Sequence, residues 1–174
     1  MYVDAKFDLA SKVGDNFQNL CMLNTVGLVP HLSSSNDESG YVVFTSSEKD
    51  NTFAGWKAFN PQRNTAWRVA IDTSSNFWIE LHCIEPVKIY KFTARTPLGT
   101  KLVKWKMQGA NNSPWKDIPF TPAQPIEDGI TYTFKIDPKL AKDYQAYRLF
   151  VEESEGESPG LTYWQLYTVN PVYV

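Results

Sequence analysis

Three short segments, Trp56-Lys57-Ala58-Phe59-Asn60, Asn64-Thr65-Ala66-Trp67 and Phe77-Trp78-Ile79-Glu80-Leu81, follow one another with polar turns between them. Aromatic anchors alternating this closely with Pro, Asn, Asp and Ser punctuation bring short strands back repeatedly to one core. The pattern predicts a β-sandwich, and the rest of the chain agrees with it. In Val103-Lys104-Trp105-Lys106-Met107-Gln108 the odd-numbered residues are apolar and the even-numbered ones polar, which sends one face into a core with Trp105 on it. The same period runs through Thr131-Tyr132-Thr133-Phe134-Lys135-Ile136, and through Tyr147-Arg148-Leu149-Phe150-Val151 except at Phe150. These read as antiparallel strands. Tyr41 to Thr45 is β-rich, Leu161 to Tyr167 returns as a last strand, and Asn111-Asn112-Ser113-Pro114 makes a turn. Pro119, Pro122 and Pro125 hold the following link extended, and Glu152 to Gly160 reads as an acidic surface loop.

Ahead of the sandwich, Val3, Phe7, Ala10, Val13, Phe17 and Leu20 recur at three- and four-residue spacing, the period of an amphipathic helix over residues 2–20. Gly14 weakens it, and a lone helix of this length is marginal unless its apolar stripe packs on something. Residues 1–27 are therefore expected to form a docking arm, and 28–174 the domain. The arm folds back on that domain, pairs with copies of itself, or plugs into a larger assembly.

A chain of 174 residues buries a core without staples. Its net charge of −2, with Lys and Arg dispersed, gives no general attraction to nucleic acid. No segment approaches the roughly 20 apolar residues of a membrane span. The first residues lack the cationic and apolar regions of a secretory signal, so the chain as written is expected to stay where it is made. Cys21 and Cys83 make no disulfide framework and are expected to be reduced, buried or half-buried thiols.

Between Pro30 and Tyr167 the motifs fall in the order of a known family. They are Ser46-Ser47; Trp56-Lys57-Ala58-Phe59-Asn60; Thr65-Ala66-Trp67; Trp78-Ile79-Glu80-Leu81 before Pro86-Val87; Trp105 to Asn111; Trp115-Lys116-Asp117-Ile118; Tyr147-Arg148-Leu149; and Gln165-Leu166-Tyr167. The set resembles the discoidin, or coagulation-factor type C, modules and the related galactose-binding carbohydrate-binding modules. The resemblance implies an all-β jelly-roll sandwich, galactose-binding-domain-like, whose loops at one end hold a sugar. It also implies core positions for Trp56, Trp67, Trp78, Trp105 and Trp115, whereas the parity of Trp164 against Tyr163 and Tyr167 points it outward. Many family members hold a structural calcium ion with an Asp-Gly after Ala-Phe and a Glu near the final strand. Here Asn60-Pro61 and Tyr163 stand at those places, so two carboxylates are lost from any calcium site, and Asn60, Asn64 and Thr65 are the nearest donors.

The chain carries no nucleophile–base pair, Gly-rich phosphate loop or Cys/His metal spacing, and no catalytic activity is expected. His31 and His82 read as structural histidines. Sugar recognition asks instead for an apolar face and for planar polar groups that reach hydroxyls. Three loops at the expected binding end supply them: Glu48, Lys49, Asp50 and Phe53 in the first; Arg68, Asp72 and Asn76 in the second; and Arg95, which stands near a ligand-binding arginine of the family. The candidate site is thus Arg95, Arg68, Phe53, Asp72 and Glu48.

Modules resembling this one are common in bacteriophage tail, fibre and head-appendage proteins. The expected role is a non-enzymatic virion module that attaches to host-surface carbohydrate, while the arm docks to other virion proteins or makes a homo-oligomer. The alternative is a structural decoration or adaptor protein that uses the fold for protein contacts only. A carbohydrate-active enzyme is the third reading and lacks a catalytic constellation.

Overall fold

A computed structural model describes residues 25–60, 65–71 and 73–169. The strands are β1 (Thr25–Gly27), β2 (Val42–Thr45), β3 (Trp67–Arg68), β4 (Phe77–Lys88), β5 (Lys91–Arg95), β6 (Lys101–Ala110), β7 (Lys116–Asp117), β8 (Ile126–Glu127), β9 (Thr131–Lys135), β10 (Asp143–Glu155), β11 (Gly160–Leu161) and β12 (Tyr163–Val169). One sheet runs β1-β12-β5-β9, and the larger one runs β2-β4-β10-β6-β7 with β8 also on β6. Strands β3 and β11 form a separate two-stranded ribbon. Every pairing among these strands is antiparallel. Thr25–Gly27, assigned to the arm from sequence, pair with β12, so the sandwich begins inside the expected arm. The helix predicted over residues 2–20, and Cys21 with it, lie outside the described residues.

The two large sheets face each other across Phe92, Ala94, Phe134, Trp164 and Leu166 on one side and Ile79, Leu81, Met107, Leu149 and Val151 on the other, all buried. Phe92 stacks on Phe134 at 5.0 Å and meets Trp105 edge-on at 6.1 Å, so one aromatic cluster joins both layers. Alternation holds in the middle of β10: Tyr147, Leu149 and Val151 point inward, and Phe150 points outward, opposite Trp78 of β4. In β6 the parity changes partway. Trp105 and Met107 are opposite Val151 and Leu149, but Leu102 rather than Val103 is buried at the start of the strand. The pairing there carries one extra residue in each strand, Glu152 in β10 and Val103 in β6, so the register is restored at Ser154 opposite Leu102 while both strands change the side chains they turn inward.

The tryptophans divide differently from the expectation. Trp67 and Trp164 have no exposed surface, Trp56 and Trp105 are half-buried against the core, and Trp78 and Trp115 lie on the outer face of the larger sheet. Trp164 is core because the inward face of β12 is Trp164 and Leu166, whereas Tyr163 and Tyr167 carry the outer face beneath Arg95 and Lys91. Trp115 is held outside by Arg148, whose guanidinium lies 4.3 Å from its ring centroid.

Glu152 to Glu155 form the end of β10 rather than a loop. Cross-strand ion pairs hold them there, Lys104–Glu153 and Lys106–Glu152, both at 2.6 Å. The turn that follows, residues 156–159, packs down on β3. A side chain at Gly160 would place its Cβ 2.0 Å from the Trp67 carbonyl oxygen, so only glycine allows the ribbon to close. His82 makes a structural contact, its Nε2 3.1 Å from Glu80, as expected.

Cys83 is free and buried, and burial raises its thiol from 9.0 to about 12. The unfolded chain ionises first, so this group adds nothing to pH dependence below 9.0 and lowers stability as the pH climbs from there toward 12. In a Cys21→Ser protein, a disulfide thiol reagent at pH 8 is expected to leave Cys83 unmodified until denaturant is added. Rapid native-state reaction would contradict the burial.

Candidate functional site

Strand β5 ends at Arg95, β3 at Arg68, and the 3-10 turn Asn51–Phe53 at Phe53; all three ends lie at the same end of the sandwich. There Arg95, Arg68 and Phe53 line one cavity of about 540 Å³, together with Thr65 and Ala66. Its far side is built by Thr96, Pro97, Leu98, Gly129 and Thr162. The three expected residues, far apart in sequence, thus share one concave surface.

Among the described residues each guanidinium is anchored by one hydrogen bond. Arg95 Nε donates to Thr162 Oγ1 at 2.9 Å, and the Thr162 amide donates back to the Arg95 carbonyl at 2.8 Å. Arg68 Nη1 donates to the Ser158 carbonyl at 3.1 Å, and the Ser158 hydroxyl closes the loop by donating to the Val69 carbonyl at 2.5 Å. Burial lowers the pKa of Arg68 from its ordinary value, yet a guanidinium stays charged at any physiological pH.

Phe53 has a different part from the one expected of a bare stacking platform. Arg68 lies 5.7 Å and Lys49 5.4 Å from its ring centroid, so the ring already carries two cations. It positions charge at the cavity rim. The apolar surface open to a sugar ring comes instead from Leu98, which is 79% exposed, beside Pro97 and Ala66. Leu98 rests on Gly129, where φ is +69° and an added Cβ would come within 2.9 Å of Leu98 Cδ2.

Glu48 is not part of the cavity lining. Its Oε1 accepts the Gly55 amide at 2.7 Å and the Thr45 hydroxyl at 3.2 Å, capping the second 3-10 turn, Gly55–Phe59. Asp50 caps the first in the same way, accepting the Thr52 amide at 2.7 Å. Polar loop residues readily satisfy nearby backbone donors, and both carboxylates are engaged in that way here. Glu48→Ala is accordingly expected to lower stability by about 1 kcal/mol in a urea melt while leaving ligand affinity unchanged. Asp72 and Asn64 lie outside the described residues.

Thr65 belongs to the cavity, and its hydroxyl donates to the Asn60 carbonyl at 3.1 Å. That bond engages the Thr65 hydroxyl and the Asn60 backbone carbonyl rather than the Asn60 side chain. Neither is a carboxylate, and among the described residues no group of three His, Cys, Asp or Glu side chains converges. A hard dication asks for six to eight oxygens with carboxylates among them, so the described part of this donor set does not fit calcium.

Thr162, Thr96, Leu98 and Gly129 were not identified from sequence. The signals were present but faint: Pro97-Leu98-Gly99 leaves one leucine at a turn, and Asp128-Gly129 marks a left-handed turn. Nothing in the chain's order says that these turns meet.

No family model matches the chain, and no curated protein does. Solved structures do. Chitosan-binding module 1 from a chitosanase/glucanase of Paenibacillus sp. IK-5 is 16% identical over 72% of this chain and 93% of its own, with a TM-score of 0.58. The family 32 carbohydrate-binding module of Clostridium perfringens NanJ, solved in complex with galactose, is 13% identical over 74% and 94%, with a TM-score of 0.59. An F5/8 type C domain from Bacteroides fragilis is 14% identical over 84% and 98%, with a TM-score of 0.57. The described chain therefore has the galactose-binding-like sandwich fold of the discoidin, F5/8 type C modules, as the resemblance implied. Among the described residues no helix is long and apolar enough to cross a membrane.

Proposed function

We propose that this chain is a non-catalytic carbohydrate-binding module whose ligand enters the cavity of Arg95, Arg68 and Phe53. The observation that carries the reading is convergence. Two anchored guanidiniums and an apolar shelf at Pro97 and Leu98 share one concave surface, the arrangement that saccharide hydroxyls and ring faces require. A surface serving protein contacts alone would be flatter and more apolar. The fold neighbours that carry carbohydrate-binding names support the same reading.

The test is a glycan array probed with the full chain displayed multivalently, since weak single sites gain strength when several engage at once. Selective binding to a sugar class is expected. Because the described donor set does not suit calcium, binding is expected to be the same with calcium and with chelator, and loss in chelator would show a metal site. A blank array from folded protein would favour the adaptor reading.

The family resemblance further leads us to place the module on a phage virion, attached to host-surface carbohydrate, with the residues ahead of β1 docking to other virion proteins or to copies of itself. Detection of the chain in purified virions, and blocking of adsorption by added protein, are the measurements that check this placement.

A further inference from the structure

We infer that the ligand of this cavity is an acidic saccharide, one bearing a carboxylate or sulfate on the ring that reaches Arg68 and Arg95 together; the inference rests on the carbohydrate-binding reading above. The cavity lining holds, among the described residues, two guanidiniums and no acidic side chain. Among the described residues neither Arg68 nor Arg95 has a carboxylate within ion-pair distance, although Lys101, Lys104, Lys106 and Arg148 all do. Each of the two makes, among the described residues, one hydrogen bond through one nitrogen, to a neutral oxygen, which engages only part of each guanidinium fork. Lys49 adds a third positive charge over the Phe53 ring. Of the described acidic side chains in these loops, Glu48 and Asp50 cap backbone amides, and Glu127, Asp128 and Glu155 line a separate concavity beyond Thr100.

Half-buried positive charge without a counter-ion is unfavourable in the free protein and is relieved by an anion that desolvates with it. A neutral sugar would hydrogen-bond to the same forks without that gain. A ring carboxylate or sulfate presents coplanar or tripodal oxygens that match guanidinium N–H pairs. Thr96 adds a further polar group to the same lining, its buried Oγ1 having no hydrogen-bond partner among the described residues. It stands beside Arg95 in sequence.

The experiment is calorimetric titration of the full chain with matched pairs: oligogalacturonate against its methyl ester, sialyllactose against lactose, and a sulfated galactan oligosaccharide against the unsulfated one. The expected result is that a charged member binds at least about tenfold more tightly than its neutral counterpart, the size of a charge-assisted bidentate contact. The preference should shrink with added salt and vanish in Arg68→Met/Arg95→Met. Which pair responds separates carboxylate from sulfate. Equal or tighter binding of the neutral members overturns the inference while the carbohydrate reading stands. Binding of no saccharide by folded protein overturns both. A charge preference that survives the double substitution overturns the assignment to this cavity. Should that variant fail to fold, acid against ester on the unmodified chain still decides, with Arg68→Lys as the milder change.

Discussion

Trp67→Ala is expected to destabilise the module by about 3–5 kcal/mol, the range for emptying a fully buried aromatic site. The indole has no exposed surface, meets Phe77 edge-on at 5.9 Å, and donates from Nε1 to the Ser47 carbonyl at 3.1 Å. It also stands at the point where the β3–β11 ribbon, the loop that starts at Ser46 and the start of β4 meet, and Arg68 is its neighbour in the chain. Against a total stability of about 5–15 kcal/mol, the loss leaves the domain marginal. A urea melt checks it: the midpoint should fall sharply, and the slope should be unchanged if unfolding stays two-state. Two companions calibrate the result. Trp67→Phe keeps most of the packing and gives up the bond to Ser47, so it should cost less. Trp115→Ala, on the outer face with Arg148 over its ring, should cost about 1 kcal/mol. If Trp67→Ala proved as mild as Trp115→Ala, the core placement would be wrong.

Arg95→Ala is expected to weaken saccharide binding by at least about tenfold with little change in the melt, because the side chain is half-buried and holds the fold through one bond to Thr162. Arg68→Ala should weaken binding by a similar factor but cost more stability, since it also ties the turn at Ser158 and covers Phe53. If both guanidiniums grip one group of the ligand, their losses will not add. The double variant should then lie above the product of the two single factors, and a double-mutant cycle measures the difference. Glu48→Ala is the control that separates site from scaffold: it lowers stability through its cap on Gly55 and leaves affinity alone. Unchanged affinity in both arginine variants, with the protein folded, would remove this cavity from the function.

The period-two alternation in Val103 to Gln108 and Tyr147 to Val151, cut by Pro, Asn and Gly turns, was sufficient to predict antiparallel strands, because a pleated backbone sends successive side chains to opposite faces whatever surrounds it. Order of motifs then carried the fold family. It also carried Arg95, Arg68 and Phe53, whose place at one end of the sandwich follows once the strands are laid out in that order. Parity failed where the register slipped. The irregularity around Glu153 decides that Leu102, not Val103, is buried, and nothing local announces it. Absolute face was equally hidden in β12: either parity is acceptable for Tyr163-Trp164-Gln165-Leu166 alone, and the facing sheet decided for Trp164. The same holds for Trp78 and Trp115, which find company in Phe150 and Arg148 on the outer face.

Chemical character, then, was determined by the sequence alone: strands, turns, and the charged groups of the loops. Which polar groups line the cavity was decided by tertiary structure. Glu48 and Asp50 are as charged as Arg68 in the sequence, but the fold brings backbone amides to them and brings Thr162, Leu98 and Gly129 to the arginines. A side chain's partners across 30 or 90 residues of chain depend on how loops converge, and convergence is a property of packed sheets rather than of any segment within them.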